Sequence, residues 1–437
     1  MDELTIGVIG VVALFLTILS GVNVMIALGI VGMVGLYFLA GFNAASSTLS
    51  SIFFTVTYSF HFSVVPMFLL MGYFAMRAGI GRDLFEAATR WFGRLPGGLA
   101  IATTGGAAAF GAASGSSVGT ATLFTKLALP QMLDRGYSKS LASASIAISG
   151  TLAVMIPPSA LMVVYGILTD SSIGQLLLAG AIPGAIFTVL IALATLITVL
   201  IKPELAPRID FRYTWREKFA SLRLVGPLVL VIVAIIGGLY GGIFTPTEAG
   251  AIGALVTFFM AVIRHRGLRG VRLTGVLLDT VQTTAMIFGI IICALVFSRF
   301  LAFSGLSQYI SDFLINADVN RWVIVAIIAG LYILLGMMMD APALLAITLP
   351  VTYPIMINLG FDPIWFGVFV VLLCELGAVT PPVGINCFVV KGAAGKLIEL
   401  EDVFRGLLPY IIACLVMLLI LCFFPQIALY LPETMRR

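Results

Sequence analysis

Apolar residues run along this chain in blocks of roughly twenty, parted by short polar or basic segments, and each block predicts a helix long enough to cross a bilayer. The blocks fall near 4–20, 23–41, 52–76, 140–167, 173–201, 225–244, 247–263, 274–303, 364–390 and 404–431. Two further apolar stretches, 99–133 and 322–358, are interrupted in their middles. The first interruption is Ser114-Gly115-Ser116-Ser117-Val118-Gly119-Thr120. A continuous span gains little from so many Ser and Gly. A chain that turns back does gain, because Gly takes φ > 0 and Ser hydroxyls bond freed backbone groups. The second interruption centres on Asp340, after Met337, Met338 and Met339 and before Pro342. Both stretches are therefore expected to be re-entrant hairpins that enter and leave on one side. Non-helical backbone at membrane depth is tolerated where it is buried in protein or lines a cavity, so each turn is a candidate binding site.

Composition fixes the class. Of 437 residues, 61% are hydrophobic and 10% charged, with a mean hydropathy of +1.15, far outside the range of soluble domains. The fold class expected is an all-α polytopic membrane protein forming one transmembrane domain over 1–437. The longest polar stretch, 202–223, is too short for a separate soluble domain. Residues 4–20 follow Asp2 and Glu3 instead of a basic segment, which argues for a retained first span and against a cleaved signal. Cys293, Cys374, Cys387, Cys414 and Cys422 sit in apolar segments without CxxC spacing and read as small hydrophobes. His61 and His265 are far apart in sequence, which disfavours a metal centre.

Charge then sets orientation. With Met1 outside and both interrupted stretches re-entrant, nineteen of the 24 Lys and Arg fall on the inner side. Arg321, Arg436 and Arg437 fall outside, while Lys126 and Arg299 lie within apolar segments. Turning the first hairpin into a single crossing inverts everything after it and destroys the asymmetry. The net charge of +4 is thus a positive-inside bias and not a nucleic-acid surface. Segment 202–223, with Glu204, Asp210 and Glu217 among its basic residues, reads as a cytoplasmic connector between two halves.

Those halves share landmarks. Gly79 and Gly305 each follow a span, at an offset of 226; Ser116 and Asp340 mark the interruptions, at 224; Pro157-Pro158 and Pro381-Pro382 recur at 224. The expected repeats, about 52–201 and 274–431, each hold a span, an arm, a hairpin and a helix broken at Pro-Pro. Their opposite starting directions make them inverted, the architecture of secondary transporters with midplane sites.

The residues suited to chemistry cluster at the breaks. Ser114, Ser116, Ser117 and Thr120 serve either helix packing through small residues or the oxygen coordination of a weakly held cation such as sodium. Each Pro-Pro removes donors and frees carbonyls four residues back, which favours Gly150, Thr151, Gly377 and Thr380 as contributors. Asp340, with Pro342 close behind, fits a helix N-cap and equally an ion or substrate contact. Arg299 either snorkels to the outer interface or attracts an anionic substrate; Lys126 reads as snorkelling to the inner one. Glu375 either pairs with a basic residue or relays protons. Thr245-Pro246-Thr247-Glu248 spells a capping box with a structural role. No GxSxG elbow, P-loop or HExxH occurs, so ATP-driven transport and soluble-type hydrolysis lack support.

Taken together, Phe110 to Ala121, Ile156-Pro157-Pro158-Ser159, Phe244 to Ala249, Gly336 to Asp340 and Glu375 to Asn386 resemble the large membrane subunit of tripartite ATP-independent periplasmic (TRAP) transporters. The resemblance runs over nearly the whole chain in the family's order. It implies a sodium-coupled importer of organic acids in the bacterial inner membrane, working by an elevator motion of hairpins and broken helices against a scaffold. It also implies a small four-helix membrane subunit, expected as a separate polypeptide, and a periplasmic substrate-binding protein. Carried onto this sequence, the ion ligands are Ser114, Gly115, Ser116, Gly150, Thr151 and Pro157 in one half. In the other half they are Gly336, Met339, Gly377, Thr380 and Pro381. Substrate contacts are Ser116, Ser117, Pro158, Ser159, Asp340, Pro382 and Asn386. Many relatives carry a small or hydroxyl residue soon after the Asp, where this chain has Ala341-Pro342-Ala343, which shifts ligation at the second tip towards backbone carbonyls.

Three competing readings remain at this level. A stand-alone sodium-coupled carboxylate carrier would share the architecture and need no binding protein. An intramembrane enzyme could use Ser117 as nucleophile, but neither His61 nor His265 can be placed beside it as a base. A non-transporting assembly protein would have no need of two broken hairpins.

Overall fold

The structure, a computed structural model, describes residues 2–207, 213–316 and 320–435. Arg208, Asp210 and Arg212 of the connector, and the terminal Arg436 and Arg437, lie outside them. The chain begins with α1 (Glu3–Leu19) and α2 (Val24–Tyr58). At 1.5 Å per residue, the 35 residues of α2 would overshoot a bilayer of about 30 Å if straight. Gly41, at φ +82, kinks the helix near its middle. After one 3-10 turn, Phe60–Ser63, comes α3 (Val64–Arg77). The span expected at 52–76 is therefore divided near Ser59, and its first part belongs to the far side of the kinked α2.

Gly79 (φ +69) ends this span and starts the arm α4 (Ile80–Phe92). Next come α5 (Gly98–Ser114), α6 (Ser117–Asp134), α7 (Lys139–Met155), α8 (Ala160–Thr169), α9 (Ile173–Ala179) and α10 (Ala181–Ile201). Beyond the connector lie α11 (Trp215–Tyr240), α12 (Pro246–Arg264), the single turn α13 (Leu268–Val271) and α14 (Leu273–Phe303). The second half then runs through α15 (Leu306–Asn316), α16 (Arg321–Gly336), α17 (Ala341–Asn358), α18 (Pro363–Val379), α19 (Ile385–Ala394), α20 (Leu400–Phe423) and α21 (Gln426–Thr434). Gly305 (φ +68) precedes α15 as Gly79 precedes α4. The expected 404–431 span divides at Phe424, and α11 starts well before 225. The reason at α11 is a capping box: Glu217 accepts from the Thr214 backbone N–H at 2.7 Å, and Thr214 accepts from the Glu217 N–H at 3.3 Å. The expected box at Thr245 and Glu248 is present with the same reciprocal bonds, at 2.8 and 3.3 Å.

Both interrupted stretches reverse direction. On one straight helix the rings of Phe110 and Phe124 would lie about 21 Å apart; their centroids are 6.2 Å apart. Thus α5 and α6 form a helical hairpin, and α16 and α17 form another.

Packing divides the helices into two groups. In one, α14 lies along α2 and α3, with α12 against α3 and α1 against α2. Its interfaces are built on small residues, as expected where lipid is as apolar as the side chains. Gly10 and Gly35 both seat the fully buried ring of Phe300, and a Cβ at Gly32 would stand 3.0 Å from the Phe297 backbone. The other group packs α5, α6, α10 and α20 around α7, and α16 and α17 against α18. It crosses between halves: Tyr165 Oη donates to the Pro363 carbonyl at 2.7 Å, and the Thr195 and Tyr410 hydroxyls meet at 3.0 Å. The arm α4 is tied to α12 by a two-pronged pair between Asp83 and Arg264, one prong at 3.0 Å. It is tied to α11 by Trp91 Nε1 donating to the Lys218 carbonyl at 3.2 Å.

Candidate functional site

The first hairpin turns on two residues. Gly115 takes the left-handed conformation (φ +58), which a side chain would strain, and Ser116 is extended and caps α6, accepting from the Gly119 N–H at 3.2 Å. Ser114 and Thr120, both buried, close the turn with a hydroxyl pair at 2.9 Å. The tip lies on the break between α7 and α8. A Cβ at Gly115 would stand 3.2 Å from both the Pro158 carbonyl oxygen and the Ala160 nitrogen. One at Gly150 would stand 3.0 Å from the Ser117 carbonyl oxygen.

That break follows from local chemistry. Ile156 is extended (φ −84, ψ 124), Pro157-Pro158 is cis, and Ser159 caps α8 by accepting from the Met162 N–H at 3.3 Å. The two helix axes differ by 48°. Pro157 and Pro158 withdraw the N–H groups that would otherwise close onto the carbonyls of Ala153 and Val154.

The second half repeats the design with different residues. Its tip is a turn from Met337 to Asp340, with Met339 buried. Asp340 holds the N-cap backbone position of α17 (φ −69, ψ 151), yet its carboxylate makes no capping bond and is exposed. Of the two roles expected for it, capping is not taken up. The break between α18 and α19 has Thr380 extended (φ −88, ψ 133), Pro381-Pro382 cis and Gly384 at φ +61. The Gly384 N–H donates to the Met337 carbonyl at 3.2 Å, which fixes tip to break. Pro381 and Pro382 leave the carbonyls of Gly377 and Ala378 without their helical donors, and the Gly377 oxygen accepts from the Thr380 N–H at 3.0 Å instead. The hydroxyls of Thr151 and Thr380 each donate back to a carbonyl of their own helix, Ile148 and Leu376, at 2.6 Å.

One pair of contacts makes the correspondence quantitative. A Cβ at Gly111 on α5 would stand 2.4 Å from the Ala153 Cα, and one at Gly377 would stand 2.7 Å from the Gly336 Cα. Gly111 and Gly336 are 225 residues apart, Ala153 and Gly377 are 224. Each hairpin therefore touches its broken helix backbone to backbone, at the same place in both halves. The sequence reading passed over Gly111 and Ala153; their signal was their place in the offset that already joined Pro157 to Pro381.

The expected ion residues lie at these two tips and breaks, except Gly150 and Thr151, which sit inside α7 more than a turn before its break. Among the expected substrate residues, Pro158 and Ser159 are buried, Pro382 and Asp340 are exposed, and Ser116 and Ser117 are half-buried. Asn386 is buried beside Glu375 on α18. Glu375 forms no ion pair among the described residues, so the basic partner proposed for it is not found. Arg299 and Lys126 are exposed, away from both tips in sequence.

Two tips docked on two broken helices define a polytopic helical membrane protein of a fold already solved elsewhere. The structure superposes on the YdaH transporter of Alcanivorax borkumensis with a TM-score of 0.62 at 16% identity, over 90% of this chain and 88% of that one. Residues 11–427 match the family described as the DctM component of the tripartite ATP-independent periplasmic transporter. The chain is 34% identical to the C4-dicarboxylate TRAP transporter large permease protein DctM of Pseudomonas aeruginosa, over 84% of this chain and 85% of that one. It is 32% identical to the isethionate TRAP transporter permease protein DctMQ of Oleidesulfovibrio alaskensis, over 96% of this chain and 65% of that longer protein. The chain belongs to the TRAP transporter family, as its large permease subunit. It is a permease and not an enzyme, which removes the reading of Ser117 as a nucleophile.

Proposed function

We propose that this permease imports an organic acid across the bacterial inner membrane by coupling it to sodium entry, with Met1 on the periplasmic side. Both hairpins are re-entrant, and the two halves are inverted repeats. The single observation that carries the reading is the matched docking of Gly111 on Ala153 and Gly336 on Gly377, because it lays the last turn of each hairpin's first arm against the last turn of the helix before each break.

Sodium is cargo here, and the residues suit it. Hydroxyl and carbonyl oxygens are hard donors, and an uncharged cage holds a monovalent ion weakly enough to release it. One ion takes oxygens from Ser114, Gly115, Ser116, Gly150, Thr151 and Pro157. A second takes them from Gly336, Met339, Gly377, Thr380 and Pro381, through backbone carbonyls at Met339. Each ion ties a tip to its break and so completes the wall against which the acid binds. The acid lies between the tips, bounded by Ser116, Ser117, Pro158, Ser159, Asp340, Pro382 and Asn386. The group built on α7 and α18 then moves as an elevator against the group of α2, α3, α12 and α14. A small four-helix membrane subunit buttresses the latter, and a periplasmic binding protein delivers the acid. Relatives named for a C4-dicarboxylate and for isethionate support an anionic organic substrate.

The test is sodium-dependent uptake by the reconstituted complex. Ser116→Leu and Thr380→Leu are each expected to abolish it while leaving the protein folded. Full uptake in both variants would overturn the assignment.

A further inference from the structure

Glu375 stands on α18 beside the second break, 1% exposed, with no Lys, Arg or His paired to it among the described residues. Two side chains face its carboxyl: Ser117, from the hairpin of the other half, and Asn386, the second residue of α19. Asn386 is also 1% exposed. Yet Glu375 Oε2 and both polar atoms of the Asn386 amide make no hydrogen bond. Buried polar groups are almost always partnered, and a buried carboxyl stays ionised only beside a counter-charge. Glu375 Oε2 and the Asn386 amide, from two elements, are therefore buried with no partner among the described residues, and Ser117 of the other half stands beside them.

We infer that Glu375, Asn386 and Ser117 form a further cation site, holding a sodium ion between the two halves. The ion would take Glu375 Oε2, the Asn386 amide oxygen and the Ser117 hydroxyl oxygen, all hard donors. A single carboxylate matches one positive charge, which favours a monovalent ion over a divalent one. Unlike the two sites proposed at the tips, each confined to one half, this site joins the α5–α6 hairpin to α18 and α19. Its loading would therefore draw the halves together. The inference rests on the proposed sodium coupling.

The test is direct binding of radiolabelled sodium to the purified permease complex, with no substrate present. Glu375→Gln, which keeps the shape and removes the charge, and Asn386→Ala are each expected to bind one sodium fewer per chain than the native protein, with a lower Hill coefficient for sodium. Native stoichiometry in a folded Glu375→Gln variant would overturn this site and leave the proposed function standing. Should that variant not fold, Asn386→Ala decides by the same measure. A native protein that binds no sodium at all would overturn the coupling itself, a result distinct from the first.

Discussion

The hydroxyls of Tyr332 and Thr352 meet at 3.1 Å, although twenty residues and the whole turn at Asp340 separate them in the chain. On an unbroken helix they would stand about 30 Å apart, so this one bond records the reversal of the second hairpin. The two partners are not equivalent. Thr352 also donates to the Thr348 carbonyl at 3.0 Å and keeps a partner when Tyr332 is changed. Tyr332, fully buried, is left with the Thr348 side chain as its polar neighbour when Thr352 is changed. Thr352→Val should therefore destabilise the protein by about 0.5–1.5 kcal/mol, the net worth of one hydrogen bond with Tyr332 turned towards Thr348, and Tyr332→Phe by less. The double variant should resemble Tyr332→Phe alone, because it removes both groups. Thermal unfolding in detergent checks the order, and additive losses would contradict it.

The contacts of Gly111 and Gly377 leave no room for a methyl group. Each added Cβ would meet backbone atoms, which cannot rotate away as a side-chain tip can. Gly111→Ala and Gly377→Ala are expected to cost about 1–3 kcal/mol by overpacking, and to abolish uptake by lifting a tip off its break. Gly105, on the same helix as Gly111, is the control: its nearest neighbour is a ring carbon of Phe92 at 3.7 Å. Gly105→Ala should keep full uptake and gain up to about 1 kcal/mol from helix propensity. Uptake assays and unfolding midpoints on the three variants decide the matter.

Much of this was legible in the residues, and for a physical reason. Gly, Ser and paired Pro interrupt a helix through backbone chemistry that needs no tertiary context, so Gly79, Gly115, the Pro-Pro pairs and the Thr245 box fell where expected. What escaped was set by contacts between distant residues. Nothing local marks Gly41 as a kink in place of a helix end, since a glycine in an apolar run fits either. Glu375 invited a basic partner because a buried acid needs compensation; the sequence could not show that Ser117 and Asn386 are the groups facing it. The exposed carboxylate of Asp340 is a similar case, since Asp before Pro gives the cap position but not the bond.

Two ion pairs on α4 should differ in weight. Asp83 is 8% exposed and held in a fork by Arg264 of α12, whose side chain is 45% exposed. Arg90 and Glu86 pair one turn apart on the surface of the same helix. Arg264→Ala leaves a buried carboxylate without its donors and should cost about 1.5–3 kcal/mol. Arg90→Ala should cost less than about 1 kcal/mol and lose even that in high salt. Unfolding midpoints at low and high salt test both. Because the Asp83 pair fastens the arm to α12, Arg264→Ala is also expected to slow uptake, whereas Arg90→Ala should leave the rate unchanged.

Re-entrance has a direct chemical test at the feet of the hairpins. The α5–α6 hairpin begins beyond Leu95 and ends at Asp134; the α16–α17 hairpin begins beyond Asn320 and ends at Asn358. All four residues are exposed, so a cysteine at any of them can meet a reagent. In a background with the five native cysteines replaced, a membrane-impermeant maleimide should reach residues 95 and 134 only from the cytoplasmic side. It should reach 320 and 358 only from the periplasmic side. For the first hairpin the distribution of Lys and Arg predicts this arrangement, because a crossing there would send every later basic loop to the wrong face. Labelling of 95 and 134 from opposite sides, or of 320 and 358 from opposite sides, would make that stretch a full crossing. The tip would then lie at a membrane face, remote from its broken helix, and the sodium sites proposed there would have no cage.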